Sequence, residues 1–121
     1  MKNNPKVIVE VTLTFKRNLS NLKKKYRSIV KDIKPIIDQL EMGELLGNRI
    51  TGTNYKVFKV RIKNSDIQKG KSGGYRLIYY VKTQKMVVLL NVYTKSEQAN
   101  ITNQQIISII KDNQASDVTE N

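Results

Sequence analysis

The stretch Met86-Val-Val-Leu-Leu-Asn-Val-Tyr-Thr94 constrains the fold more than any other part of the chain. It is uncharged, almost continuously apolar, and bounded by polar turns at Thr83-Gln84-Lys85 and Lys95-Ser96-Glu97. A strand wetted on one face alternates apolar and polar residues, whereas a strand covered on both faces need not. The stretch therefore predicts a sheet strand with a packing layer on each side. It is far too short to span a membrane, which takes about 20 residues.

Neighbouring patterns supply the rest of the sheet and its cover. Val7, Val9, Val11, Leu13 and Phe15 alternate with Ile8, Glu10, Thr12 and Thr14, so period two predicts a strand over 7–15. The period then lengthens. Leu19, Leu22, Tyr26, Ile29, Val30, Ile33, Ile36, Ile37 and Leu40 recur every three or four positions, as on one face of an amphipathic helix. Pro35 inside the stripe predicts a kink or a restart, and Ser28 is a candidate cap for a second helix. Two helices in a hairpin and one bent helix both fit this pattern. Residues 48–54 read as turn. Phe58, Val60 and Ile62 alternate with Lys59, Arg61 and Lys63 in a second strand. A loop over 64–74 precedes a strand at Tyr75–Lys82, which forms a hairpin with Met86–Tyr93. Thr102 and Gln105 have capping-box spacing ahead of Ile106, Ile107, Ile109 and Ile110, predicting a short final helix.

The resulting order, β-α-α-β-β-β-α, is that of an α+β domain. It implies a small antiparallel-rich sheet with an N-terminal helical hairpin packed on one face. At 121 residues the chain is one domain. That domain is expected to cover 1–112, with a disordered polar tail over 113–121 outside it.

Composition narrows the chemistry. The chain has no Cys and no His, which removes the usual ligands of zinc, haem and iron–sulfur centres, and disulfides with them. Cysteine nucleophiles and histidine acid–base pairs are excluded too. No cofactor or metal is expected. MKNNPKVIVEV lacks the apolar segment of a signal peptide, so a cytoplasmic location is expected. Lys and Arg number 22 against 10 Asp and Glu, a net charge of +12. Such a surface attracts polyanions, nucleic acid first among them.

The charge is concentrated. Residues 55–95 hold ten Lys or Arg and one acid, Asp66. Lys59, Arg61 and Lys63 share a strand face by alternation. Arg76 follows the loop that carries Lys69 and Lys71, and Lys95 follows the last strand. If these strands are neighbours, the cations converge. A lysine-studded edge strand that resists aggregation would look similar. Two arginines with Tyr75, Tyr80 and Tyr93 nearby favour RNA, because arginine grips phosphate bidentately and tyrosine stacks on unpaired bases. Lys24 and Lys25, in the run Lys23–Arg27, form a second basic cluster that suits an RNA backbone or a solvated helix face. Gly70-Lys71-Ser72 is not a phosphate-binding P-loop: the first glycine of that motif would fall at Ser65, and a strand, not a helix, follows. The acids are not clustered, which leaves no Mg²⁺ site.

These residues resemble a known family. VFKVRIKNSDIQKGKSGGYRLIYYV followed by LLNVYTKSEQANIT is similar to the RelE/ParE superfamily of bacterial toxins, and looks closest to its RelE/HigB-like branch. The resemblance implies the toxin of a type II toxin–antitoxin system: a ribosome-dependent mRNA endoribonuclease, or mRNA interferase, that cuts message in the ribosomal A site and inhibits translation. It implies a cognate antitoxin, expected to carry a helix-turn-helix DNA-binding domain, with operator DNA bound only through the complex. By position it places catalytic roles on Lys59, Arg61, Arg76 and Lys95. RNA contacts are expected from Lys63, Lys69, Lys71, Tyr80, Tyr93, Lys24 and Lys25. Family members carry an arginine where this chain has Ser96, and a C-terminal tyrosine near Thr102.

The implied chemistry is attack of a 2′-hydroxyl on the adjacent phosphate, without metal. It needs a base, charge stabilisation and protonation of the leaving oxygen. A lysine ordinarily titrates near about 10.4, and nearby cations disfavour its charged form; Lys59 is the candidate base. Arg61 and Arg76 would clamp the phosphate, Lys95 would serve the leaving oxygen, and Tyr80 or Tyr93 would stack on a base. A ParE-like gyrase poison on the same fold, and an RNA- or ribosome-binding module without cleavage, are the alternatives. The first has no need of the basic cluster.

Overall fold

The computed structural model describes residues 6–67, 74–98 and 100–119. Its elements are β1 (Ile8–Val11), α1 (Leu13–Lys25), α2 (Ile29–Glu41), β2 (Asn48–Ile50), β3 (Val57–Ile62), β4 (Tyr75–Thr83), β5 (Met86–Thr94) and α3 (Asn103–Thr119). The five strands form one sheet in the order β1-β5-β4-β3-β2. Only the β1–β5 pair is parallel; the other three pairs are antiparallel.

β5 is covered on both faces, as its apolar run requires. Val87, Leu89 and Val92 join Phe15, Leu22, Ile29, Ile33 and Leu40 in a core beneath the α1–α2 hairpin. Val88, Leu90 and Tyr93 join Ile106 and Ile110 in a second core beneath α3. Each fully buried Ile or Leu contributes about 1.5–3 kcal/mol, so the sheet is held by two apolar layers rather than by ion pairs. The N-terminal hairpin on one face matches the expected α+β layout. No helix among the described residues is long and apolar enough to cross a membrane.

The first strand is shorter than its alternation predicts. It ends at Val11, because Thr12 caps α1. The Thr12 hydroxyl accepts from the Phe15 N–H at 3.0 Å and donates to the Leu90 carbonyl at 2.8 Å. Phe15, Leu19 and Leu22 then continue at helical spacing, and Leu13 lies on the exposed side. Thr12→Val deletes the cap and strips a buried carbonyl of its partner. A loss of about 2 kcal/mol is expected, read as a lower urea midpoint at unchanged slope.

The helical region is two helices. The break falls at residues 26–28, and Pro35 lies inside α2. The Ser28 side chain makes no capping bond. Its N–H instead donates to the Asp66 carboxylate at 2.7 Å, while Asp32 in the first turn of α2 accepts from the Ser65 N–H and hydroxyl at 2.9 and 3.0 Å. Two carboxylates thus tie the loop after β3 to the positive end of α2.

Residues 48–50, expected as turn, form the edge strand β2 against Val57–Lys59. α3 is longer than the short helix expected, continuing through 113–119. Nothing in that stretch is Gly or Pro, so no residue there stops the helix. Its predicted capping box is formed. The Thr102 N–H donates to Gln105 Oε1 at 2.8 Å, and the Gln105 N–H donates to the Thr102 hydroxyl at 3.1 Å.

Candidate functional site

Strand alternation decides which face carries the cations. Phe58, Val60 and Ile62 point into the core under the helical hairpin, so Lys59 and Arg61 point to the α3 side. On β4, Tyr75, Leu77 and Tyr79 take the hairpin side. Ile78 and Tyr80 take the α3 side, which puts Arg76 there too. Register completes the arrangement: Arg61 lies opposite Arg76, and Arg76 lies opposite Tyr93. Arg61, Arg76 and Tyr93 form a row across three adjacent strands. Lys59 stands two residues from Arg61, opposite Asn48 and Ile78. Lys95 follows Thr94, which pairs with Tyr75 at the same end of the sheet.

This row is electrostatically unfavourable by itself. Like charges directly opposite on a sheet repel. Arg76 is also only 7% exposed, and a buried charge without a counter-charge costs several kcal/mol. Its bond to the Gly74 carbonyl is long, at 3.4 Å. Among the described residues no carboxylate lies within ion-pair distance of Arg61 or Arg76, and the Lys34–Asp38 pair is an exposed one on α2. The intervening segment 68–73 contains Lys69 and Lys71 but no Asp or Glu. An anion placed on the row would relieve both the repulsion and the burial cost. Among the described residues no group of three or more His, Cys, Asp or Glu gathers to hold a metal.

The other predicted residues divide. Lys63 is exposed and lies just past β3, where strand alternation no longer dictates its direction. Lys69 and Lys71 lie outside the described residues. Lys24 and Lys25 are exposed on the last turn of α1, in the layer on the opposite side of the sheet. The structure does not join them to the row. Tyr26, next to them, packs edge-on against Tyr75 with ring centroids 5.9 Å apart, so this turn covers the same end of the sheet.

The expected stacking role of Tyr80 and Tyr93 does not fit their burial. They are 3% and 4% exposed and belong to the core under α3. Tyr80 packs edge-on against Tyr55 at 5.8 Å. Neither ring presents an open face to a base. Burial pushes the Tyr93 hydroxyl above its ordinary pKa, and the Arg76 charge opposes that shift. Tyr93 therefore keeps its proton at neutral pH and stands beside the guanidinium as a neutral neighbour.

Ser96 and Thr102, where this chain departs from the family pattern, both serve local structure. Thr94 organises the turn after β5: its hydroxyl is 3.1 Å from the Ser96 hydroxyl and donates to the Glu97 carboxylate at 3.0 Å. Thr102 is committed to the capping box of α3.

The profile of the family described as the RelE toxin of the RelE/RelB toxin–antitoxin system matches residues 51–118. The chain belongs to this family. A search of curated proteins returned no match. The matched segment of this RelE-type toxin contains β3, β4, β5 and all but the last residue of α3, and with them the whole basic row. Membership makes the chain the toxin of a toxin–antitoxin system and implies an antitoxin as its partner.

Sequence reasoning missed two supports of the site. Gly47 lies so close to β3 that a Cβ there would sit 2.2 Å from the Lys59 carbonyl oxygen. Asn91, inside β5, read only as part of the apolar run. A glycine that ends the helical region and an amide inside an apolar strand were the signals available.

Proposed function

We propose that this RelE-type toxin is a metal-independent endoribonuclease of the HigB-like branch, cutting mRNA in the ribosomal A site. The observation that supports this reading is Arg76, buried between Arg61 and Tyr93 with no carboxylate among the described residues to neutralise it. A phosphodiester bound there supplies the missing charge. Arg61 and Arg76 hold its non-bridging oxygens and stabilise the negative charge that builds as the 2′-oxygen attacks phosphorus. Lys59, two residues along the same face, accepts the 2′-hydroxyl proton as its neutral amine. The bond from phosphorus to the 5′-oxygen breaks, leaving a 2′,3′-cyclic phosphate, and Lys95 delivers a proton to the departing oxygen. Tyr93 acts by fixing the Arg76 guanidinium and does not stack on a base. The partner is an antitoxin with a helix-turn-helix domain that carries the complex to operator DNA, and the site of action is the cytoplasm.

The test is to map 5′ ends on a translated reporter after brief induction. Wild type runs beside Arg76→Ala and beside a reporter that lacks its start codon. Cuts at fixed codon positions are expected with wild type on the translated reporter only, and none with Arg76→Ala. Equal cutting of both reporters replaces this reading with a free ribonuclease. Growth arrest without cuts removes cleavage altogether.

A further inference from the structure

Asn91 interrupts the apolar run of β5 and is only 6% exposed. β1 accompanies β5 no further than Val11 opposite Leu89, because the chain turns into α1 at Thr12. The register with β4 slips at the same place: Tyr79 faces Leu89 and Ile78 faces Asn91, leaving Leu90 as the extra residue of a bulge. Bulges re-aim side chains and often adjoin active sites. Here the Asn91 carbonyl oxygen accepts twice, from Asn18 Nδ2 at 2.5 Å and from the Val92 N–H at 2.8 Å. Those bonds fix which way the amide is turned. They leave Nδ2 as a donor on a cleft of about 420 Å³ between α1 and α3, with Thr14, Arg17, Gln104, Ser108 and Ile109 among its lining residues.

We infer that this cleft holds an unpaired nucleobase of the RNA, adjacent to the nucleotide whose phosphate sits on Arg61 and Arg76. The inference rests on the nuclease reading and names the part of the substrate that sets its sequence preference. Three observations carry it. First, the cleft has the size of a small-molecule site. Second, it offers what a base needs: an apolar wall at Ile101 and Ile109 for the ring, and donors on Asn91 and Arg17 for its acceptor edge. Third, its position suits the strand of RNA. Asn91, which lines the cleft, and Tyr93, the β5 member of the row, are two residues apart on the same strand, roughly 7 Å. Asn91 is thus a specificity residue whose amide reads a base edge.

Asn91→Asp keeps an oxygen that can accept from Asn18 and Val92 and replaces the amide donor with a charged acceptor oxygen. Arg17→Gln alters an exposed helix position and leaves the bulge untouched. Cut sites of both variants are mapped on the same translated reporter. In parallel, the side-chain amide resonances of Asn91 in the wild-type protein are followed by NMR while each of the four nucleoside 3′-monophosphates is added. The preference at one nucleotide position of the cut site is expected to fall about tenfold in each variant, the discrimination of one good side-chain–base contact. The Asn91 amide is expected to shift with a subset of the nucleotides. Variants that keep the wild-type preference, with an Asn91 amide that does not move, overturn the cleft while the nuclease stands. A wild-type protein that makes no cuts overturns the nuclease, and the cleft's role falls with it.

Discussion

Arg76→Met is expected to unfold at a higher temperature than the wild type while cutting RNA about 10²–10³ times more slowly. Both effects have one cause. Arg76 is a cation held between Arg61 and Tyr93 on the α3 side of the sheet, almost out of water and without a carboxylate among the described residues. In the free protein that placement costs stability, and an unbranched apolar side chain of similar length removes the cost. A gain of about 1 kcal/mol corresponds to roughly 3–5 °C for a chain of this size. In the substrate complex the same charge meets phosphate, and its loss leaves the developing charge unsupported. Linkage supplies a third readout: a short RNA that binds the row raises the wild-type midpoint and leaves that of Arg76→Met nearly unmoved. A variant that is less stable than the wild type yet cuts RNA at full rate would refute both parts. Such a trade of stability for activity is the usual sign of a functional position.

Gly47→Ala is expected to be the most damaging glycine-to-alanine change among the described residues. Gly47 has φ +86°, a conformation side chains rarely adopt, and the added Cβ would lie 2.2 Å from the Lys59 oxygen and 2.9 Å from Val60 Cγ2. The first contact is backbone, so β3 must move. Backbone strain and overpacking together set the loss at about 2–5 kcal/mol. Gly43 is the control. Its φ is +94°, but a Cβ there meets only Lys6, at 3.9 Å. Gly43→Ala should therefore cost only the conformational penalty, about 1–2 kcal/mol. Urea midpoints separate the two variants, and equal losses would show that the close approach to Lys59 does not matter. Because Lys59 carries the proposed base, the residual folded fraction of Gly47→Ala should also cut RNA more slowly per folded molecule.

Features that depend on the direction of successive side chains were legible in the sequence. The two-faced cover of β5, the apolar stripe of the hairpin helices and the shared face of Lys59 and Arg61 all follow from local periodicity, since alternation and the helical repeat are properties of the backbone itself. The Thr102–Gln105 capping box is likewise a contact across three residues. Period two ran on through Leu13 and Phe15, of which Phe15 also fits the helical stripe while Leu13 is exposed; the Thr12 hydroxyl, bonded to Leu90 far along the chain, resolved that ambiguity.

The rest belongs to the tertiary structure. The α2 cap comes from Asp66, a residue of the loop after β3, in place of Ser28. β2 is a strand only because Val57–Lys59 lies beside it. Tyr80 and Tyr93 looked available for stacking until α3 was laid over them, and the cover depends on a helix whose packing face no nearby residue dictates. Arg61, Arg76 and Tyr93 are basic or aromatic in any reading of the sequence. Only the registers of β3, β4 and β5 align them in one row, because pairing partners are chosen by long-range contacts that local propensity does not encode.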